Sequence, residues 1–267
     1  MSHVVPSPGG SQPSLGCVNL AGRRILVTGA SSNIGRACAL ALASLGAELV
    51  LLGRNEERLR DTAARLVGAG HQHLCFDLEQ LDHIATLPAL TQARERKLSG
   101  IVHSAGICQL VPLAATTPAV LRQAMSVNFG AFAELCRHFS KRLYFSEEGG
   151  SLVALSSVSA KVGWPAGGAY CASKAALEGL VRVLAIELAP RKIRVNTVCP
   201  SDLITYMQVS EGVTAARSHE ERGTAQPLGF GTVDDVASTV AFLLGDAGRF
   251  ITGTSLVVDG GVLAKGN

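Results

Sequence analysis

The chain is short of charge and has no block of it. Charged residues make up 17% of its 267 residues, and the net charge of +3 is spread along the sequence. A balance that weak and dispersed argues against nucleic acid as a partner. No apolar run approaches the roughly 18 residues of a membrane span, so no membrane-spanning segment is expected. The seven cysteines, at positions 17, 38, 75, 108, 136, 171 and 199, stand 21 to 37 residues apart. They form no C-x-x-C pair and no Cys/His cluster at metal-ligand spacing, so no metal site is expected. Most fall in apolar stretches, where cysteine behaves as a small hydrophobe. Their odd count and the lack of a basic, then apolar, export signal point to a reducing cytoplasm. Residues 1–19 are rich in Ser, Pro and Gly and read as a disordered leader.

What the chain does have is apolar content. Nearly half of its residues, 47%, are apolar, enough for a sizeable core. From Arg23 onward, short β-branched runs alternate with longer helical patterns. The runs are Ile25–Thr28, Glu48–Leu52, His73–Phe76, Gly100–His103, Leu152–Ser156, Arg194–Val198 and Ser255–Val258. Each is continuously apolar rather than alternating, as expected of strands covered on both faces. Helices are predicted near 33–45, 55–67, 81–97, 117–145, 168–189 and 232–245, with Pro88 kinking or shortening the third. The repeated strand–helix order implies right-handed crossovers in an α/β fold, a doubly wound parallel sheet of about seven strands. No Pro/Gly-rich linker follows residue 20, so 20–267 reads as a single domain. Residues 206–226 are polar and poorly periodic, which leaves two readings, a solvated loop or a lid over a reaction site.

Two segments carry chemistry. In Arg24–Gly35 an apolar strand runs into a tight turn and a helix start. Gly29 closes the turn, and Gly35 lets the helix pack against the strand. The exposed N–H groups and the positive end of the helix dipole then favour a pyrophosphate. In Ala169–Leu180, a helical pattern, Tyr170 and Lys174 stand at i and i+4, one turn apart on one face. A cation held there favours the phenolate, lowering the tyrosine's pKa from its usual 10 or so. Ser157 ends the apolar run that begins at Ser151 and presents a hydroxyl to the same place. These groups suit the transfer of a proton to or from a carbonyl or alcohol oxygen.

With these residues the chain resembles the short-chain dehydrogenase/reductase superfamily, in its compact, 3-oxoacyl-carrier-protein reductase-like type, over roughly residues 20–263. The family reads Thr-Gly-x-x-x-Gly-x-Gly at the turn. Here Thr28, Gly29 and Gly35 match, while Asn33 replaces the middle glycine; Asn is the residue other than Gly that best tolerates positive φ. The resemblance implies a Rossmann domain with Tyr170 as general acid in reduction and general base in oxidation. Lys174 would lower the tyrosine's pKa and hold the nicotinamide ribose. Ser157 would hold the substrate oxygen, and Asn128, in Ser126–Gly130, would use its backbone to hold a water linking the lysine to solvent. It also implies dinucleotide contacts from Gly29, Ser31, Ser32, Asn33, Ile34, Gly35, Arg54, Asp77, Leu78, Ser104, Ala105, Gly106, Asn128, Tyr170, Lys174, Pro200, Ser201, Leu203 and Thr205. Asp77 matches the aspartate near adenine, and Pro200 and Thr205 match the segment at the carboxamide.

The family's Asn-Asn-Ala-Gly after the fourth strand is here His103-Ser104-Ala105-Gly106, and Ser201 replaces a glycine. His103 reads as a hydrogen-bonded strand-end residue rather than a catalyst. The end of the second strand, Leu51-Leu-Gly-Arg-Asn-Glu56, has no acid for a free ribose 2′-hydroxyl. Arg54 there could pair with a 2′-phosphate, so NADP(H) is favoured, with NAD(H) possible. Segments 158–169 and 206–226 would wall the substrate pocket. Trp164 and Val162 make the first apolar; Arg217, His219 and Arg222 make the second partly cationic, which keeps an anionic or acyl-carrier-linked substrate open. The leading expectation is an NADP(H)-dependent oxidoreductase acting on an oxo group or secondary alcohol of a small or acyl-type substrate. Two alternatives stay open: an NAD-dependent alcohol dehydrogenase with the same catalytic set, and a non-catalytic dinucleotide sensor. A homo-oligomer, dimer or tetramer, is expected by resemblance.

Overall fold

The computed structural model describes residues 18–204 and 226–265. Seven parallel strands form one sheet: β1 (Arg24–Thr28), β2 (Glu48–Gly53), β3 (Gln72–Cys75), β4 (Gly100–His103), β5 (Gly150–Leu155), β6 (Ile193–Pro200) and, last in sequence, β9 (Ser255–Val258). Their order is β3-β2-β1-β4-β5-β6-β9, all neighbours parallel. Every residue of β1 and β4 is buried, which is why these runs are apolar without alternation. Successive side chains still part to opposite faces. Ile25 and Val27 pack into a core with α1 (Asn33–Ser44), α2 (Glu56–Ala64) and, near the C-terminus, α7 (Val233–Leu244). Leu26 packs on the other side with α5 (Ala131–Phe139) and α6 (Gly168–Leu188).

Helix ends follow local chemistry. Asn55 caps α2 by accepting from the Arg58 N–H at 2.8 Å. Thr232 and Asp235 form a capping box that starts α7. Two predicted helices differ from expectation. Over 81–97 the chain makes a 3₁₀ turn (Leu81–Thr86) and a single α-turn, α3 (Leu87–Leu90), because Pro88 fits only the first turn of a helix. The predicted 117–145 helix ends at Phe139 and is interrupted: α4 (Pro118–Met125) passes into a π-turn (Ser126–Gly130) before α5. A short parallel pair, β7 (Leu203–Ile204) and β8 (Gly231–Thr232), stands apart from the main sheet. The proposed leader, apart from Val18 and Asn19, and the proposed lid, apart from Gln226, lie outside the described residues, as does Thr205. Among the described residues, no helix is long and apolar enough to cross a membrane. Of the cysteines described, Cys38, Cys136 and Cys199 are buried, whereas Cys75 and Cys108 are exposed and Cys171 is half-buried.

Strand order reverses between β1 and β4, where connections leave to opposite sides. A crevice must open there at the carboxyl ends of the strands. Both chemical segments end at that edge.

Candidate active site

The ends of β1, β2 and β4 frame a cleft of about 420 Å³. Its floor is the β1–α1 turn, where Gly29 has φ +66° and Asn33 φ +45°. A Cβ on Gly29 would lie 2.8 Å from the Ala105 nitrogen, so glycine is needed for the turn to pass under the end of β4. Asn33 adopts the left-handed backbone expected of it, and the turn closes without the middle glycine. Ser32 precedes α1 in extended conformation, and no side chain caps the helix. Its first N–H groups thus remain suited to an anion. Ser31, Ser32, Ile34, Arg54, Asp77, Leu78, Ser104, Ala105 and Gly106 line the same cleft with Gly29 and Asn33. Asp77 also accepts from the Glu79 N–H at 3.1 Å, as a helix-entry acid would. Gly35 lies beneath the cleft and does not line it. A Cβ there would meet the Gly29 oxygen at 2.2 Å, so its smallness serves helix–turn packing.

Arg58 and Phe76 also line the cleft, though neither was singled out from sequence. Arg58 follows the Asn55 cap by three residues, and that spacing was the signal available for it. With Arg54 it gives the rim beyond β2 two guanidinium groups. Pro200, Ser201 and Leu203 stand outside the cleft lining. Pro200 ends β6; the Ser201 N–H donates to the Val258 carbonyl at 3.3 Å and its hydroxyl to Gln226 Oε1 at 3.3 Å; Leu203 begins β7. A larger groove, about 950 Å³, lies at the opposite pole among Arg23, Gly150 and Arg194, and holds none of Asn128, Ser157, Tyr170 and Lys174.

Asn128, Ser157, Tyr170 and Lys174 converge beyond Gly106. A Cβ on Gly106 would be 3.2 Å from Asn128 Oδ1 and 3.4 Å from Lys174 Nζ, so the missing side chain leaves room where the cleft meets these four residues. Asn128 is fully buried in the π-turn. Its side chain accepts from the Ile107 N–H at 2.8 Å and donates to the Ile107 carbonyl and Ser173 Oγ, each at 2.9 Å. It thereby ties the loop after β4 to α6. Ser157 caps the 3₁₀ turn Val158–Ala160, accepting from the Ser159 N–H at 3.1 Å. The Ser157 hydroxyl donates to Ser159 Oγ at 3.1 Å and lies near enough to the Tyr170 phenol to favour its ionised form. Lys174 donates to the Leu155 carbonyl at 2.7 Å and sits 5.7 Å from the centroid of the Tyr170 ring.

The electrostatics correct the expectation of a depressed tyrosine. Burial pushes the Tyr170 phenol up to about 12; the Ser157 hydroxyl pulls the other way, and the nearby Cys108, Cys171 and Asp202 add to the rise. Burial also pulls Lys174 down, to about 8, so the lysine is itself a weakened cation. At neutral pH this site therefore holds a phenol, a proton donor. Asp202 and Cys108 belong to this electrostatic neighbourhood and were not singled out from sequence. His103 is indeed a hydrogen-bonded strand-end residue, with Nδ1 3.1 Å from Thr28 Oγ1. Thr28 Oγ1 also accepts from the Ala105 N–H at 3.0 Å. His103 Nε2 is buried without a hydrogen-bond partner.

Comparison with known proteins agrees with this geometry. A family model described as enoyl-(acyl carrier protein) reductase matches residues 29–263. The D-erythrulose reductase of Gallus gallus is 36% identical over 245 residues, spanning 91% of this chain and 97% of that protein. The L-xylulose reductase of Bos taurus is 34% identical over 258 residues, spanning 92% and 99%. A dehydrogenase/reductase from Sinorhizobium meliloti 1021 superimposes with a TM-score of 0.81 at 35% identity, covering 91% of this chain and 96% of that one. The chain belongs to the short-chain dehydrogenase/reductase superfamily. It is an NAD(P)-dependent oxidoreductase acting on CH–OH and C=O groups.

Proposed function

We propose that the protein is an NADP(H)-dependent reductase of small polyhydroxylated ketones, with Tyr170 as the proton donor. The observation that carries this reading is the convergence of a protonated phenol, the Ser157 hydroxyl and Lys174 at the Gly106 end of the cleft. The residues fit a dinucleotide: an uncapped helix start behind Gly29, two arginines beyond an acid-free strand end, and a gap beside Lys174. When bound, the nicotinamide supplies the hydride that the substrate carbon takes up. Tyr170 gives its phenolic proton to the substrate oxygen, and runs as a base in the reverse direction. Ser157 donates to the same oxygen and stabilises the charge that grows on it. Lys174 keeps one N–H on the Leu155 carbonyl and has others to offer the nicotinamide ribose. Asn128 holds Ile107 against α6 and so keeps the loop at the cleft in place.

The two arginines, Arg54 and Arg58, support a ribose 2′-phosphate and hence NADP(H). The names of the avian and bovine relatives, reductases of a tetrulose and a pentulose, support a ketose-like substrate. A homo-oligomer accords with the exposed Val183 and Ile186 on α6 and Phe250 before β9. A reducing cytoplasm accords with six described cysteines that are all free thiols.

The test is turnover on a panel of ketoses, simple ketones and β-oxoacyl thioesters with NADPH and with NADH. Ketose turnover with NADPH is expected. Tyr170→Phe should abolish it while dinucleotide affinity stays within about tenfold, because the lost proton acts in the transition state. Arg54→Ala should weaken NADPH about tenfold and leave NADH unchanged. Near-normal turnover by Tyr170→Phe sinks the assignment of the donor.

A further inference from the structure

The proposed mechanism leaves the buried carboxylate of Glu178 unused. Glu178 lies on α6, one turn beyond Lys174 and two beyond Tyr170, and is 7% exposed. Its Oε1 accepts from the Ser156 hydroxyl at 3.1 Å and from the Cys199 thiol at 3.0 Å. Its Oε2 pairs with Lys161 Nζ at 3.0 Å. These partners come from three places that matter to the site. Ser156 adjoins Ser157. Lys161 follows the turn that Ser157 caps. Cys199 precedes Pro200 and Ser201 at the end of β6. Burial alone would raise the Glu178 carboxyl, but hydrogen bonds from Cys199, Lys161 and Ser156 and the Lys161 charge hold it below its usual range. A buried ion pair adds little net stability compared with a well-packed apolar one. What it does supply is one fixed arrangement of the groups that satisfy it.

We infer that Glu178 is a positioning residue: through Lys161, Ser156 and Cys199 it clamps the Ser157 turn and the end of β6 to the helix carrying Tyr170 and Lys174. The distance between the Ser157 hydroxyl and the Tyr170 phenol depends on this clamp. So does the position of the β6 end against both. The inference rests on the reading of Ser157 and Tyr170 as the catalytic pair. An error of about 1 Å in such a pair is enough to cost a hundredfold in rate.

The experiment compares Glu178→Ala, Glu178→Gln and Lys161→Met in the full chain, with Tyr170→Phe as control. Three quantities are read: kcat, dinucleotide Kd by nicotinamide fluorescence, and Tm. Glu178→Ala should lower kcat at least tenfold while Kd stays within twofold. Glu178→Gln, which keeps an acceptor for Ser156 and Cys199, should recover most of that loss. Lys161→Met touches a residue a third exposed and so serves if Glu178→Ala does not fold. There Glu178 keeps Cys199 facing it from β6, with Lys174 a turn away on its own helix, but loses its counter-charge. The carboxyl should then take up a proton more readily, so that kcat falls on acidification at a higher pH than in the wild type. The inference is overturned if Glu178→Ala keeps kcat within twofold, or if kcat, dinucleotide affinity and Tm all fall together. Failure of Lys161→Met to change the pH profile overturns it equally. Wild-type-like turnover by Tyr170→Phe would instead mark the catalytic reading as the one in error.

Discussion

Lys174 Nζ stands 5.7 Å from the centroid of the half-buried Tyr170 ring and, itself buried, spends one hydrogen bond on the Leu155 carbonyl. The pair is not a cation sharpening a phenolate. Each group is pushed by burial toward its neutral form, the phenol up to about 12 and the amine down to about 8. A phenol raised this far keeps its proton well above neutral pH, as the proposed donor role requires.

The buried lysine has a stability cost with a definite pH signature. Its folded pKa, about 8, lies below the unfolded value of about 10.5. Below pH 8 the lysine is charged in both states, and its burial opposes folding by roughly 3 kcal/mol, as 1.4 kcal/mol per unit implies. Between 8 and 10.5 the unfolded chain binds more protons, so stability rises with pH across that window. Lys174→Met should therefore stabilise the ligand-free protein at pH 7 by about 1–3 kcal/mol after loss of the Leu155 bond, with the gain fading toward pH 10. Turnover should fall at least a hundredfold. Urea melts at pH 7 and pH 10 check the first point; no pH dependence in the difference would refute it.

His103 makes the opposite end of the pH range sensitive. Burial first, then the charge of Lys174, holds it at about 3, against 6.5 for a free imidazole. From pH 6.5 down to 3 only the unfolded chain takes up this proton. Stability should then drop by up to about 1.4 kcal/mol per pH unit on acidification from this residue alone. His103→Asn, which restores the amide of the related enzymes, should flatten that slope while leaving Tm at pH 7.5 within about 3 °C. Melting curves from pH 7.5 to 4.5 for the two proteins decide it. Parallel curves would mean that the acid limb lies elsewhere.

The parts of this site legible in sequence are those set by covalent spacing. Tyr170 and Lys174 four residues apart on a helix, Ser157 at a strand end and Gly29 before a helix start all follow from local periodicity, and the structure brings them to one edge. The strands were legible for a related reason: β1 and β4 are buried on both faces, so no alternation confuses the run. What depends on depth was not legible. The direction of the Tyr170 shift turns on how far α6 sinks into the domain, and helical spacing says nothing of that. The π-turn at Asn128 is invisible because residues 117–139 are helical in pattern on either side of it. Arg58 was missed because a charge in a first helical turn ordinarily faces solvent; only the approach of α2 to the β1–α1 turn puts it on the cleft. The Glu178 network needs three distant segments to meet, which no single window of the chain contains.

Two glycines separate folding from cofactor binding. Gly35 faces the backbone of the turn itself, and a Cβ there would overlap the Gly29 oxygen at 2.2 Å. Neither partner is the flexible end of a side chain, so the strand–turn–helix unit must shift as a body. Gly35→Ala should cost roughly 2 kcal/mol or more, within the range for forced overpacking, and dinucleotide affinity should fall with stability. Gly106 differs. Its Cβ would stand 3.2 Å from Asn128 Oδ1 and 3.4 Å from Lys174 Nζ, side-chain atoms at ordinary or slightly tight contact. Gly106→Ala should leave Tm within about 2 °C, yet fill the gap where the cleft meets the catalytic set. The expected result is a dinucleotide Kd raised tenfold or more in a protein of normal stability. Calorimetric titration alongside thermal melts separates the two cases. If Gly106→Ala bound dinucleotide like the wild type, the space beside Lys174 would not be where the nicotinamide end is held.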